Sequence, residues 1–208
     1  MEKKPEFIPT RESLLSRLKD WDDDEGWSEF FKIYRQLIFT TAIKSGLRED
    51  EAEEVVQETV ISVAKTIKEF KYDPKKCRFK NWLGHLAQKR IADRFRKRSR
   101  ELPLPETAPN ETARTPAIER MADPGGVDLD AIWEEEWRQK LLDASIERVK
   151  TLVSAEQYQM FDFYVVKKMP AGKVARDLGT STAQVYLAKH RVSRLLKKEV
   201  RRLDEEMG

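Results

Sequence analysis

The sequence has 208 residues, of which 40 are Lys or Arg and 37 are Asp or Glu, a length that suits one or two small domains. Cys77 is its only cysteine, and His85 and His190 are its only histidines, so neither a disulfide framework nor a metal site is expected. No apolar stretch reaches the ~18 residues of a membrane span, and the residues after Met1 lack the apolar core of a signal peptide. We therefore expect a soluble cytoplasmic protein without cofactors or membrane insertion.

Four helices are predicted between residues 10 and 100. Thr10 caps a short first helix, and apolar residues at helical spacing mark a second helix from about Glu25 to Lys44. Asp50 opens a third helix, and a fourth runs from about Phe79 to Arg98. The apolar stripes of the four can close one core. The side chains expected in that core are Leu14, Leu15, Leu18, Trp27, Phe30, Phe31, Tyr34, Leu37, Ile38, Ala52, Val55, Val56, Thr59, Val60, Val63, Ile67, Phe70, Trp82, Leu83, Leu86, Ile91 and Phe95.

A linker rich in proline and acidic residues is predicted over residues 101–127, because such a composition favours a flexible tether. Residues 1–9 are also expected to be flexible. Helical spacing resumes after the linker, so a second domain is expected over residues 128–208. We interpret Trp133 and Trp137 as packing residues of its first helix, and docking against the basic helix of the first domain is the alternative.

Two capping signals divide this second domain into helices. Ser154 followed by Gln157 predicts a helix that continues through Val165 toward Pro170. Ser181 followed by Gln184 predicts the start of another helix by the same capping-box pattern.

A helix-turn-helix is predicted over residues 170–200. Residues 170–186 read PAGKVARDLGTSTAQVY, in which a short helix with small and apolar residues is followed by Gly179. That glycine supplies the left-handed residue at which such a helix ends. The second helix is basic, which suits a recognition helix that enters the major groove of DNA. The simpler interpretation is a helical corner with no DNA contact.

Charge is strongly segregated along the chain. Basic residues dominate residues 65–100, acids dominate residues 101–137, and basic residues dominate again over residues 167–202. This basic–acidic–basic order predicts two polyanion-binding surfaces, separated by a segment that avoids nucleic acid.

Three segments resemble one known family, the bacterial RNA polymerase sigma factors. Residues 52–60 read AEEVVQETV, which is similar to the AED(L/I)(V/T)QE(T/V)F signature of the small extracytoplasmic-function (ECF) group. Residues 79–96 read FKNWLGHLAQKRIADRFR, which resembles the FxxWL helix of that group. The helix-turn-helix described above resembles the C-terminal motif of the family, although Ala183 and Gln184 replace its usual Gly-Thr pair.

The resemblance implies an all-α fold of two small helical domains, with a sigma region 2 bundle over residues 10–100 and a region 4 helix-turn-helix domain, joined by the flexible acidic linker. It implies a promoter-specificity subunit that binds core RNA polymerase through the β′ clamp helices and the β flap. It further implies recognition of −35 and −10 promoter elements and DNA opening. An anti-sigma factor is a further partner at the level of the family, and no enzymatic chemistry is implied.

The same resemblance assigns roles by position. The surface that would dock on polymerase comprises Asp50, Glu51, Glu53, Glu54, Gln57 and Glu58. The −10 DNA contacts would come from Tyr72, Lys75, Lys76, Arg78, Phe79, Lys80, Asn81, His85, Lys89, Arg90, Arg94, Arg96 and Lys97. The −35 contacts would come from Lys173, Arg176, Ser181, Thr182, Ala183, Gln184, Tyr186, Leu187, Lys189, His190, Arg191 and Arg194.

A stand-alone transcriptional regulator is the alternative function, since it could use the same helix-turn-helix without binding polymerase. The second DNA-binding module and the acidic cluster at residues 50–58 argue against it. The sequence does not support an enzymatic function, because it shows no catalytic triad spacing, metal cluster or glycine-rich phosphate loop.

Overall fold

The computed structural model of the chain describes residues 11–70, 78–101 and 127–207. Within these ranges every regular element is helical, which confirms the predicted all-α fold. The helices there are α1 (Arg11–Arg17), α2 (Asp24–Lys44), α3 (Glu49–Thr66), α4 (Phe79–Glu101), α5 (Leu129–Leu152), α6 (Ala155–Phe161), α7 (Ala171–Asp177) and α8 (Thr182–Met207).

The chain divides into two compact units at a point inside α5. The first unit runs from Pro9 to Trp137 and the second from Arg138 to Met207. The second domain was predicted to begin at residue 128, whereas the first turns of α5 belong to the first unit. The physical reason is that Trp133 and Trp137 are buried there, with 3% and 1% of their surfaces exposed.

The start of α2 is fixed by Asp23. Its carboxylate accepts the backbone N–H of Gly26 at 2.8 Å, which is the usual capping interaction. The same carboxylate pairs with the Arg17 guanidinium at 2.7 Å, measured from Nε to Oδ2. The Arg17 hydrogen bond and the Gly26 N–H both favour the ionised form, so the pKa of Asp23 is lowered to about 2.

Helices α2, α3 and α4 share one apolar core. Their buried side chains recur three and four residues apart, as the sequence predicted. Among those with 0% of their surface exposed are Phe30, Ile38, Ala42, Ala52, Val56, Val63, Leu83, Ala87 and Ile91. Gly46, at a φ of +98°, lies in the turn between α2 and α3, where a side chain would be strained.

Phe31 does not join the core that was predicted to include it. Its side chain is 42% exposed, while the side chain of Phe30 is fully buried. Adjacent residues of an α-helix point about 100° apart, so the two rings cannot face the same core. Phe31 instead lies under the guanidinium of Arg35, with 5.9 Å between the guanidinium carbon and the ring centroid.

In the second unit, α6 is shorter than the predicted helix. Ser154 caps it as expected and accepts the backbone N–H of Gln157 at 3.2 Å. The α-helical repeat ends at Phe161, and Asp162–Val166 form a π-helical turn. The N–H of Lys167 donates to the Asp162 carbonyl five residues earlier, at 2.9 Å, so the chain widens there instead of continuing as an α-helix.

Two buried clusters hold the helices of the second unit together. The first joins α6, α7 and α8 through Met160, Ala171, Val174, Ala175, Val185 and Ala188. The second joins α5, α6 and α8 through Val149, Phe161 and Val192. These contacts fix the position of α8 against the two shorter helices.

Neither a membrane-spanning helix nor a metal-binding cluster occurs in the described ranges. None of the helices there is both long enough and apolar enough to cross a membrane. In the same ranges, no three His, Cys, Asp or Glu side chains are grouped closely enough to hold a metal ion.

Candidate functional site

The acidic start of α3 contains one residue that faces inward. Glu51 is 0% exposed, and its carboxylate accepts the backbone N–H of Arg48 at 3.0 Å. The guanidinium groups of Arg98 and Arg94, both on α4, lie 3.4 and 3.5 Å from the same carboxylate. Glu51 therefore ties α3 to α4. Its burial contradicts the prediction that it contacts polymerase directly.

Two further acids of α3 pair with cations of the first unit. Glu53 forms an ion pair with Arg35 of α2. Glu54 pairs with Arg94 of α4 at 3.1 Å. Both carboxylates remain partly exposed, so they can meet a partner only in competition with these internal cations.

The remaining predicted docking residues face solvent. Gln57 and Glu58 are exposed, and Asp50 is exposed while paired with Arg48 at 3.1 Å. The hydrogen bond from Arg48 lowers the pKa of Asp50. Ile61 extends this surface with 52% of its own surface exposed. Ile61 was not among the predicted docking residues, although its position four residues after Gln57 places both on one helical face.

Helix α4 presents a row of exposed polar and basic side chains. The predicted −10 residues that are exposed are Arg78, Asn81, His85, Lys89, Arg96 and Lys97. Tyr72, Lys75 and Lys76 lie outside the described residues. Arg96, although exposed, pairs with Asp93 of its own helix at 3.0 Å. The exposed set forms a face on which phosphates could be neutralised.

Three further basic residues predicted to contact DNA are held by side chains of other helices of the first unit. Arg90 donates to the Ser62 hydroxyl at 3.0 Å and pairs with Asp93 at 3.1 Å. Arg94 is held by the α3 acids described above. Lys80 is nearly buried and pairs with Glu134 at 2.7 Å. These three cations therefore contribute first to folding, and DNA would have to displace their partners.

Phe79 was predicted to contact −10 DNA, and its burial contradicts this. It is 1% exposed and packs edge-on against Phe30, Tyr34 and Phe70, with ring centroids 6.4, 5.6 and 6.1 Å away. A side chain enclosed by rings on three sides has no face left for a base. Trp82, interpreted as a core residue, is half-buried and lies 4.5 Å from Phe70.

The first turns of α5 pack on α4 and α2. The ring of Trp133 covers Gly84, where an added Cβ would lie 2.7 Å from the indole Nε1. The ring of Trp137 stacks on Tyr34 at 6.5 Å, and the Lys80 ammonium lies 5.6 Å from its centroid. The two tryptophans therefore dock on the basic helix of the first unit, which was the alternative considered from the sequence.

Polar pairs flank these two tryptophans. Glu136 forms an ion pair with Lys44 of α2, and the amide of Gln88 donates to Asp130 at 2.8 Å. With the Lys80–Glu134 pair, acids from the start of α5 thus reach basic and polar side chains of both α2 and α4.

Helices α7 and α8 are joined by a tight turn. Gly179 has a φ of +62°, and the N–H of Thr180 reaches back to the Ala175 carbonyl at 2.9 Å. Ser181 Oγ accepts the N–H of Gln184, and Gln184 Oε1 accepts the N–H of Ser181, each at 3.2 Å. This reciprocal pair is the capping box expected from the sequence.

All of the predicted −35 residues on α7 and at the start of α8 face solvent. The exposed set is Lys173, Arg176, Ser181, Thr182, Ala183, Gln184, Tyr186, Leu187, Lys189, His190, Arg191 and Arg194. The opposite face of α8 is buried through Val185, Ala188 and Val192. Tyr164, from the π-helical turn, supports the exposed face: its ring meets Tyr186 edge-on at 5.6 Å and lies 5.4 Å from the Lys189 ammonium.

Residues 30–101 match the family model described as Sigma-70 region 2. The matched segment runs from within α2 to the end of α4, and it includes both the exposed side of α3 and the basic face of α4. In sigma factors this region binds core polymerase and melts the −10 element. A search of curated proteins found no match.

Proposed function

We propose that this chain is a promoter-specificity (sigma) subunit of bacterial RNA polymerase, of the ECF group, acting in the cytoplasm. The observation that carries the proposal is the Sigma-70 region 2 match over residues 30–101, which coincides with the helical core of the first unit. The function is one of binding: the chain selects promoter DNA and helps to open it, while core polymerase supplies the chemistry.

In this proposal α3 docks on core polymerase. Its accessible side is formed by Asp50, Gln57, Glu58 and Ile61, which combines acids with one large apolar side chain. Such a combination is typical of a protein interface, where an apolar anchor is surrounded by polar groups.

Helix α4 would hold the −10 region. Its exposed basic face suits a single strand whose phosphates are neutralised while the bases are held apart from the duplex. The second unit would then act as region 4: α7 and α8 form a helix-turn-helix, and α8 is the recognition helix for the −35 element. The linker predicted over residues 101–127 lies outside the described residues except at its two ends.

Complex formation with core polymerase tests this proposal. The full-length chain is mixed with bacterial core polymerase, and a stable complex is expected by size-exclusion chromatography. Glu58→Lys places a cation where the proposal requires an acid, so it should weaken the complex by about tenfold. Glu156→Lys makes the same charge change at an exposed site of the second unit and should weaken it less.

A different result would support the stand-alone regulator. That function predicts sequence-specific DNA binding by the free chain and no complex with core polymerase at micromolar concentration.

A further inference from the structure

The exposed face of α8 carries an apolar residue at its centre. Leu187 is 69% exposed, the largest exposed fraction among the exposed large apolar side chains of the described ranges. The helical repeat places Leu187 on one stripe with Ala183 and Arg194, opposite buried Val192. Tyr186, the residue before it, is 53% exposed, so this face of α8 carries two neighbouring large apolar side chains and not a single isolated one.

Basic side chains lie on both sides of this apolar stripe. At about 100° per residue, Arg191 lies about 40° from Leu187 on one side and His190 about 60° on the other. Lys189 lies further round the helix, 5.4 Å from the Tyr164 ring centroid. A helix with cations at its edges and an apolar centre is suited to a groove with phosphate walls and a partly apolar floor. The major groove of DNA offers such a floor where thymine exposes its C5-methyl group.

Gln184 would be the usual candidate for reading a base, but its amide oxygen is already used. Gln184 Oε1 accepts the backbone N–H of Ser181 at 3.2 Å and also contacts the Thr180 hydroxyl. A glutamine that reads adenine needs its amide oxygen and nitrogen together. With the oxygen held in the capping box, the first turn of α8 lacks a free bidentate amide.

We propose that Leu187 is a specificity-determining residue that reads the C5-methyl group of thymine in the major groove, with Ala183 beside it allowing close approach. The proposal rests on the proposed DNA-binding function of the second unit and names what that unit recognises. Arg191 and Arg194 supply phosphate contacts without sequence preference, and Gln184 acts as a helix cap.

Replacing single thymines by deoxyuridine tests this assignment, because deoxyuridine lacks only the methyl group. Duplexes are first selected from a random library by the full-length chain, alone and with core polymerase, and each thymine of a selected site is then replaced in turn. At one or two positions the parent should lose affinity by about fourfold, the value expected for one buried methyl group. Leu187→Ala should bind both duplexes equally, at the weaker level.

Matched variants separate methyl reading from general DNA binding. Leu187→Met keeps an apolar side chain and should retain the difference between thymine and deoxyuridine. Arg191→Ala should weaken both duplexes equally and reduce the salt slope by about one unit. Gln184→Ala should lower the thermal midpoint of unfolding without changing the methyl preference. Because Leu187 is exposed, Leu187→Ala should leave the helical circular dichroism unchanged.

Two outcomes would overturn the inference, and only the second would also overturn the proposed DNA-binding function. If Leu187→Ala keeps the full thymine preference while Arg191→Ala weakens binding, the second unit binds DNA but Leu187 does not read the methyl group. If the library yields no selected sequence with or without core polymerase, both the inference and the proposed DNA-binding function of the second unit fail.

Discussion

Asp23 serves two elements at once, as the cap of α2 and as the partner of Arg17 at the end of α1. Both interactions favour the ionised carboxylate. The pKa of Asp23, about 2 in the folded chain, lies below its value of about 4 in an unfolded chain. The stability it contributes is therefore complete above about pH 4 and is lost as the pH falls toward 2.

We predict that Asp23→Ala lowers the thermal midpoint of the first unit near neutral pH, and that the difference from the parent shrinks between about pH 4 and pH 2. Asp23→Asn should recover part of the loss, since an amide oxygen can still cap α2. Asp22→Asn, a neighbouring exposed site, is the control. A pH-independent difference between parent and Asp23→Ala would contradict the assigned role of the charge.

Replacing glycine by alanine is expected to change stability in opposite directions at Gly84 and Gly172. A Cβ at Gly84 would lie 2.7 Å from Trp133 Nε1, while a Cβ at Gly172 meets nothing within 4 Å. Gly84→Ala should therefore destabilise the first unit by about 1–2 kcal/mol through overpacking. Gly172→Ala should stabilise the second unit by about 0.5–1 kcal/mol, because alanine is the better helix former.

Denaturant unfolding measures both changes. Every one of the five tryptophans lies between residues 21 and 137, so tryptophan fluorescence follows the first unit and circular dichroism follows both. If Gly84→Ala is neutral, the close packing of Trp133 on α4 is not part of the stable fold.

Among the elements, the start of α5 has the clearest functional consequence. Its acids pair with Lys80 and Lys44, through Glu134 and Glu136. In the proposed function these pairs would reduce the positive charge that α4 and α2 offer to DNA. Single pairs of this kind contribute ~0–1 kcal/mol and are screened by salt. Several together can reach the ~1.4 kcal/mol that corresponds to a tenfold change in affinity.

We predict that the triple variant Glu134→Gln, Glu135→Gln and Glu136→Gln binds DNA up to about tenfold more tightly than the parent at low salt. The gain should vanish at high salt. A variant with Asp143→Asn, Glu147→Gln and Glu156→Gln removes the same charge from the second unit and controls for net charge. Equal gains in the two variants would mean that the start of α5 does not shield the basic surface.

The helices could be predicted from the sequence where apolar spacing and capping residues mark them. Apolar spacing placed α1 to α4, and the Ser181–Gln184 capping box and Gly179 placed the turn before α8. The π-helical turn after Phe161 could not be predicted, because nothing in the local spacing distinguishes it from a continuing helix.

Burial within the candidate site was harder to predict, because it depends on contacts between distant residues. In the sequence, Glu51 is one acid among several. Its burial could not be predicted because it depends on contacts with Arg94 and Arg98 of α4. Phe79 lies at the first position of its helix, where exposure is common, yet rings from α2 and from residue 70 enclose it. The docking of Trp133 and Trp137 on α4 was hard to predict for the same reason, because it joins residues that are far apart in the sequence.

At the scale of the whole molecule, the segregated charges of the sequence fall on different elements. The basic segment over residues 65–100 contains α4, the acidic segment ends in the first turns of α5, and the basic segment over residues 167–202 contains α7 and most of α8. Each compact unit thus carries its own cationic helix, as two separate promoter contacts would require.

Promoter opening is the central claim, and permanganate reactivity of thymines measures it directly. The template is a duplex selected by the full-length chain together with core polymerase, and single-stranded thymines are then mapped. The account predicts reactive thymines near the −10 position only when the chain and core polymerase are both present. A selected duplex that is bound by both proteins but stays unreactive throughout would contradict it.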